Sequence, residues 1–161
     1  MKAIIFRILL SLIIINIQIV FSQKKSKESM KTVLRNNVYF FTEETGPYSL
    51  NIEVTKLKND EGNLMLGLFD ENKNKIAAIN KIPIIDSECI LKIDSLNSGK
   101  YVVQFWHDIN NNGILDMGIF GQPKESYGNS NNIKGFMGPP KYESMIFEIK
   151  GDLSIKMRPI N

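Results

Sequence analysis

The chain has 161 residues, of which 43% are apolar and 23% are charged, and its formal net charge is +3. This length suits one domain and excludes a TIM barrel or a two-domain enzyme, while the apolar content excludes a wholly disordered chain. One cysteine and one histidine exclude an intrachain disulfide, a cysteine-based zinc site and the multi-histidine catalytic zinc sites.

The N-terminal segment predicts export. Lys2 and Arg7 precede an apolar run at residues 8–21, and Val20-Phe21-Ser22 before Gln23 supplies a cleavage pattern. The alternative is a transmembrane anchor, but the run of about 14 residues is shorter than the roughly 20 that a span needs. We therefore predict a signal peptide over residues 1–22, no transmembrane span after cleavage, and a periplasmic or extracellular protein that is soluble or peripherally associated.

Cleavage lowers the net charge of the chain. Loss of Lys2 and Arg7, with no acidic residue removed, takes the net charge from +3 to +1. A charge this small gives no reason to expect nucleic acid or an anionic membrane as a partner.

Residues 23–47 are polar and mixed in charge, and we predict a linker or arm that ends at Gly46-Pro47. An apolar island at residues 38–41 is a candidate for an extra edge strand. The folding domain is expected to occupy residues 48–161.

From residue 48 onward, apolar and polar residues alternate with the period of two that is typical of half-buried β-strands. Turn signals between such runs predict a hairpin over residues 50–69 and a second over residues 145–157, whereas residues 76–85 are ambiguous. Cys89 lies on the apolar side of its run, so we expect it to be buried. Six or seven short strands without a three-turn helix predict an all-β sandwich. The inward positions are Leu50, Ile52, Val54, Leu64, Leu66, Leu68, Cys89, Leu91, Ile93, Tyr101, Val103, Phe105, Met145, Phe147, Ile149, Leu153, Ile155 and Met157.

A dense polar motif follows the strand at residues 101–106. Counted from Asp108, side-chain oxygens fall at positions one, three, five and nine and Gly113 falls at position six, the spacing of a helical-hand calcium loop. Position twelve is Ile119 instead of a bidentate Glu, and so few charged ligands predict a weak affinity, about 10⁻⁴–10⁻³ M. The candidate calcium ligands are Asp108, Asn110, Asn112, Ile114 through its carbonyl, Asp116, and Glu125 folding back from later in the chain.

A metal-free interpretation of the same motif remains open, because Asx side chains in a turn also bond to their own backbone. The sequence does not strongly favour either the calcium site or the metal-free turn. Ca²⁺ is the one cofactor that we consider.

Residues 117–142 are rich in Gly, Pro and Asn, and so long a loop inside a small domain is often functional. Aromatic faces beside amides are suited to sugars, so a glycan is one candidate ligand. The alternative is that the aromatic residues pack the loop onto the sandwich, as in an Ω-loop. The candidate ligand-binding residues are Phe120, Tyr127, Asn129 and Phe136.

Catalysis is the least favoured hypothesis. A hydrolase would need His107, the sole imidazole, with Ser126 or Ser130 and a carboxylate, but no nucleophile elbow is present. We therefore expect a non-enzymatic protein.

Six short segments of the chain stand out: LNSGKY at residues 96–101, HDINNNG at 107–113, FGQPKE at 120–125, YG at 127–128, SNN at 130–132 and GPP at 138–140. Together these segments resemble the DUF2141 family of exported bacterial proteins. The resemblance covers about residues 48–158 and implies no established activity.

The Gly99-x-Tyr101 corner also resembles transthyretin-like and carboxypeptidase-regulatory-like domains. That resemblance implies a seven-stranded Greek-key sandwich and a non-catalytic module. The leading hypothesis is therefore an exported module, with calcium as a candidate stabiliser, that acts in binding or scaffolding at the cell envelope with a glycan or an envelope protein as partner.

Overall fold

The computed structural model describes residues 17–22, 24, 40–42 and 44–160. Residues 17–22 and 24 are helical and belong to a different compact unit from residues 37–161. Within the described ranges, no helix is long and apolar enough to cross a membrane. Most of the predicted signal peptide and of the predicted arm lies outside the described residues.

The described residues between 40 and 160 form an all-β domain with two sheets, as the alternating pattern predicts. One sheet has the strand order β1-β5-β2-β9, and the other has the order β4-β3-β6-β7, with β8 also pairing with β6. The strands are β1 (Phe40–Phe41), β2 (Tyr48–Val54), β3 (Asn63–Asp70), β4 (Lys75–Ile82), β5 (Cys89–Leu96), β6 (Gly99–Asp108), β7 (Tyr127–Asn129), β8 (Phe147–Ile149) and β9 (Leu153–Met157), and a one-turn helix spans Tyr142–Met145.

A single hydrophobic core lies between the two sheets. Leu50 and Ile93 of the first sheet and Leu64 and Val103 of the second are all fully buried in it. The period-two prediction is confirmed for these strands because alternate side chains point to opposite faces of a strand. Cys89 is also buried, as predicted, and this burial raises the pKa of its thiol to about 12.

Both predicted hairpins are wrong. β2 and β3 lie in different sheets, as do β8 and β9, so each connection crosses from one sheet to the other. The buried Leu57 anchors the first crossing, since its N–H donates to the carbonyl of Ser87 at 3.0 Å. Turn residues show that the chain reverses, but they do not show which sheet receives the next strand.

The hairpin that does form joins β3 to β4, which resolves the ambiguous segment at residues 76–85. The Asp70 carboxylate accepts hydrogen bonds from the backbone N–H groups of Asn72 and Asn74, each at 2.8 Å. A further bond from the Asn74 side-chain amide is the main reason that the pKa of Asp70 is lowered.

The described residues form nine strands instead of the predicted seven, and the Greek-key arrangement is not confirmed. One added strand is β1, which pairs with β5 in parallel and fulfils the edge-strand prediction for Phe40 and Phe41. Met145, predicted to begin a strand, instead ends the one-turn helix and is buried there.

Candidate functional site

The polar motif begins where β6 ends. Asp108 is the last residue of that strand, and its side chain is almost completely buried. One of its carboxylate oxygens accepts a hydrogen bond from the N–H of Asn112 at 3.1 Å, and the other accepts from the N–H of Gly113 at 2.8 Å. Gly113 has a φ of +78°, a conformation that glycine adopts without strain. Asp108 therefore fixes the sharp turn of the loop.

The amide side chains of the loop extend this arrangement. Asn110 Oδ1 accepts from the N–H of Asn112 at 3.1 Å, and Asn112 Oδ1 accepts from the N–H of Ile114 at 2.8 Å. These are the Asx turns of the metal-free interpretation. The Asp116 carboxylate accepts from Asn110 Nδ2 at 2.7 Å and lies 3.4 Å from Asn112 Nδ2.

Glu125 folds back onto the loop, as predicted, but its carboxylate accepts hydrogen bonds from backbone N–H groups. Oε1 accepts from the N–H of Ile109 at 2.9 Å, and Oε2 accepts from the N–H of Asp116 at 3.2 Å. The side chain is only 5% exposed. Glu125 therefore joins the two ends of the loop.

The fit of this loop to a metal is partial. Among the described residues, no group of three or more His, Cys, Asp or Glu side chains is placed to hold a metal ion. A calcium ion here would depend on Asp108 and Asp116 together with neutral amide and carbonyl oxygens, which hard cations accept as ligands.

The loop over residues 117–142 borders a half-open cavity of about 590 Å³ against the outer side of β6 and β7. Three of the four predicted ligand-binding residues, Phe120, Tyr127 and Asn129, line this cavity, whereas Phe136 is not among the lining residues. The other lining residues are Gln104, Leu115, Met117, Gly121, Gln122, Pro123, Gly128, Met137, Gly138, Pro139, Pro140 and Met145.

Asparagines fasten the loop to the sandwich. Asn129 is buried, its Nδ2 donates to the carbonyl of Ile133 at 2.8 Å, and its Oδ1 accepts from the N–H of that residue at 3.1 Å. Asn131 Nδ2 donates to the carbonyls of Ser144 and Ile146 at 2.9 and 3.0 Å. The amide of Asn129 is therefore occupied by the chain itself.

The aromatic residues of the loop agree only in part with the Ω-loop alternative. Phe120 and Phe136 are 92% and 93% exposed. Tyr127 and Tyr142 are partly buried instead, and the Tyr142 hydroxyl donates to the carbonyl of Asp70 at 2.6 Å. Partial burial and the nearby Asp70 charge raise the pKa of Tyr142.

Two polar residues of the cavity, Gln104 and Gln122, were not predicted from the sequence. Gln104 lies between the buried Val103 and Phe105 on β6, so strand alternation places it on the outer face beneath the loop. Its Nε2 lies 3.8 Å from the sulfur of Met145. Strand alternation could have predicted that Gln104 faces outward beneath the loop, whereas no local sequence pattern predicts the position of Gln122.

His107 is completely buried at the end of β6. Its Nε2 lies 2.6 Å from the carbonyl oxygen of Glu61. A carbonyl only accepts, so Nε2 carries the hydrogen, and Nδ1 has no hydrogen-bond partner among the described residues. The two serines considered as partners of His107 make other contacts. The backbone carbonyl of Ser126 accepts a hydrogen bond from the backbone N–H of His107. The Ser130 hydroxyl donates to the carbonyl of Met145 at 2.5 Å.

Comparison with protein families matches residues 52–156 to a family described as an uncharacterized protein conserved in bacteria, DUF2141. This match runs from the middle of β2 into β9 and includes the 108–116 loop and the cavity. No curated protein and no solved structure matches the chain. Because the matched region makes up well over half of the sequence and agrees with the resemblance of its motifs, the chain belongs to the DUF2141 family.

Proposed function

We propose that this domain is an exported, non-catalytic binding module of the cell envelope that takes its ligand in the cavity beneath the 117–142 loop. The observation that carries the proposal is the cavity itself, which is large enough for a small organic ligand. Export is supported by the signal-like pattern of residues 1–22.

The lining favours a neutral ligand. None of the described residues that line the cavity carries a charge. Gln104 and Gln122 offer amide donors and acceptors, and Phe120 and Tyr127 offer aromatic faces. Amides beside aromatic rings suit a neutral sugar, which presents both hydroxyl groups and apolar ring faces. We therefore place a neutral glycan first among the candidate ligands.

The non-catalytic part of the proposal is supported by the burial of His107. A general base must reach the proton that it abstracts, whereas this imidazole is fully buried and bonded to the carbonyl of Glu61. The Ser130 hydroxyl is also directed at a backbone carbonyl. A hydrolase that uses His107 is therefore the weaker alternative.

Calcium is our second proposal, as a stabiliser of the 108–116 loop. It is supported by the convergence of Asp108, Asn110, Asn112 and Asp116 on one tight turn. The existing Asx turns hold the loop without metal, so the ion would add to a structure that is already formed. Its affinity is expected to be weak, about 10⁻⁴–10⁻³ M.

A glycan array probed with the chain from Gln23 onward tests the principal proposal. We expect binding to neutral glycans, and we expect Phe120→Ala and Tyr127→Ala each to weaken that binding by about fivefold, because stacking on an aromatic ring contributes on the order of 1 kcal/mol. Phe136→Ala is the matched control, since Phe136 is exposed on the same loop but does not line the cavity.

The array has two outcomes against the proposal. One is the absence of any glycan signal from a chain that melts cooperatively. The other is an equal loss of binding in the Phe136→Ala control. Melting temperatures of all three variants separate a loss of binding from a loss of fold.

A further inference from the structure

Four large apolar side chains project from two parts of the 117–142 loop. Ile119 and Phe120 are 96% and 92% exposed, and Phe136 and Met137 are 93% and 94% exposed. Phe120 and Met137 line the same cavity, so the two pairs lie at one mouth. We call these four residues the apolar rim.

The hydrophobic core does not explain the position of these four side chains. The core is complete between the two sheets without any of the four side chains. Large apolar side chains that cluster on a surface mark a contact with another molecule or with a membrane. Single exposed hydrophobic residues are ordinary, but two adjacent pairs at one mouth are not.

Positive charges accompany the rim. Lys124, Lys134 and Lys141 are all exposed, and none of them forms an ion pair with a described residue. Lys124 and Lys141 each follow a proline that lines the cavity, and Lys134 precedes Phe136 by two residues.

Three acidic residues, Asp116, Glu125 and Glu143, belong to the same region of the chain as these lysines. Glu125 is buried and bonded to backbone N–H groups, and the Asp116 carboxylate accepts from Asn110. Glu143 is the one exposed carboxylate between residues 117 and 145. The three exposed lysines therefore outnumber the one exposed carboxylate, Glu143, and the half-exposed Asp116, although the net charge of the chain gives no hint of it.

We propose that the apolar rim inserts into the surface of an anionic phospholipid bilayer, with Lys124, Lys134 and Lys141 at the level of the headgroups. Apolar side chains flanked by lysines match the apolar boundary and the negative charge of such a surface. The inference goes beyond the proposed ligand site, because Ile119 and Phe136 do not line the cavity. In this orientation the cavity mouth faces the headgroups.

Co-sedimentation with vesicles tests the inference. The chain from Gln23 onward, which contains the whole core, is mixed with vesicles of phosphatidylglycerol and phosphatidylethanolamine or with vesicles of phosphatidylcholine alone. We expect binding to the anionic vesicles at least about tenfold tighter than to the neutral ones. Ile119→Ser with Phe136→Ser should lower binding by about tenfold or more, since both side chains lose their apolar contact.

Charge reversal gives an independent measurement. Lys134→Glu should weaken binding to the anionic vesicles at least about fivefold, and the loss should shrink at high salt. The control is Lys58→Glu, an exposed lysine in the connection between β2 and β3. The apolar control is Ile114→Ser, which changes a residue that is 65% exposed in the neighbouring loop.

Several results would overturn the inference. They are an absence of vesicle binding by the folded chain, equal binding to neutral and anionic vesicles, and an equal loss in the control variants. A dimer in solution that dissociates in the Ile119→Ser, Phe136→Ser variant would assign the rim to contact with a second copy. Glycan binding measured on that double variant separates the two proposals, because the cavity lining is unchanged in it.

Discussion

Glu125 Oε2 accepts a hydrogen bond from the backbone N–H of Asp116 at 3.2 Å, across nine residues of chain. The other oxygen accepts from the N–H of Ile109 at 2.9 Å, so one carboxylate joins both ends of the 108–116 loop. Since Glu125 is only 5% exposed, water cannot easily replace it. The loop therefore depends on a residue outside the motif that its sequence displays.

We predict that Glu125→Ala lowers the free energy of unfolding by about 2–4 kcal/mol, because two backbone donors lose a charged acceptor. Glu125→Gln retains one acceptor oxygen and should cost less. Chemical denaturation checks both values. Glu148→Gln is the control, as Glu148 forms an exposed ion pair with Lys150, and it should change stability by less than about 1 kcal/mol. Equal effects of Glu125→Ala and Glu148→Gln would contradict the role of Glu125.

Calcium at millimolar concentration should raise the melting temperature. With a dissociation constant of about 10⁻⁴–10⁻³ M, 10 mM calcium adds about 1.4–2.7 kcal/mol to the stability of the folded state. Asp108→Asn should abolish the calcium-dependent increase, because it removes one of the two carboxylates on which a calcium ion in this loop would depend.

The matched control for calcium is Asp60→Asn. Asp60 also accepts two backbone hydrogen bonds, from Asp86 and Ser87, but it lies outside the 108–116 loop. Both variants are expected to lower the melting temperature without calcium, and only Asp108→Asn should remove the response. A wild-type melting temperature that calcium leaves unchanged decides against the metal.

The core was predictable because its signal is local. Alternation identifies Leu50, Leu64 and Val103 as inward-facing without any knowledge of which strands pair. The pairing itself was not predictable in this way. The turn at residues 59–62 indicates a reversal equally well for a hairpin and for a crossing between sheets. The crossing is settled by contacts distant in sequence, such as the bond from Leu57 to Ser87.

The candidate site was likewise predictable from the sequence only where the signal is local. The turn at Asp108 and Gly113 follows from their spacing, and the structure contains it. The partners of Glu125 did not follow, since a carboxylate that folds back serves a metal and a backbone N–H equally well. Asn129 was predicted to face a ligand, yet its amide is held by the backbone of Ile133. Residue type alone does not distinguish a side chain that binds from one that fastens a loop.

Acid should destabilise the domain partly through Asp152. Its carboxylate accepts from the N–H of Ser49 at 2.9 Å, and this bond lowers the pKa of Asp152 below its ordinary value of 3.8. A lowered folded-state pKa means that the stabilisation is complete above pH 3.8 and is lost as the pH falls through the lower value.

Asp152→Asn keeps an acceptor oxygen but removes the titrating group. The melting temperature should therefore depend less steeply on pH below 3.8 in this variant than in the wild type. Glu143→Gln, which removes an exposed carboxylate, is the control and should leave the slope unchanged. Parallel curves for Asp152→Asn and the wild type would show that the bond to Ser49 contributes nothing to acid sensitivity.

Gly128 on β7 is held between the core and the C-terminal segment. A Cβ at this position would lie 2.5 Å from Cε1 of Phe105 and 2.7 Å from the carbonyl oxygen of Arg158. Phe105 is almost fully buried, and a backbone carbonyl cannot rotate away, so neither neighbour yields easily. We predict that Gly128→Ala costs about 1–3 kcal/mol of stability through overpacking.

Gly151→Ala is the control, because a Cβ there meets no atom within 4 Å, and it should leave the midpoint of denaturation nearly unchanged. Because Gly128 also lines the cavity, a Gly128→Ala chain as stable as the wild type would mean that β7 moves outward into the cavity, and ligand binding should then weaken.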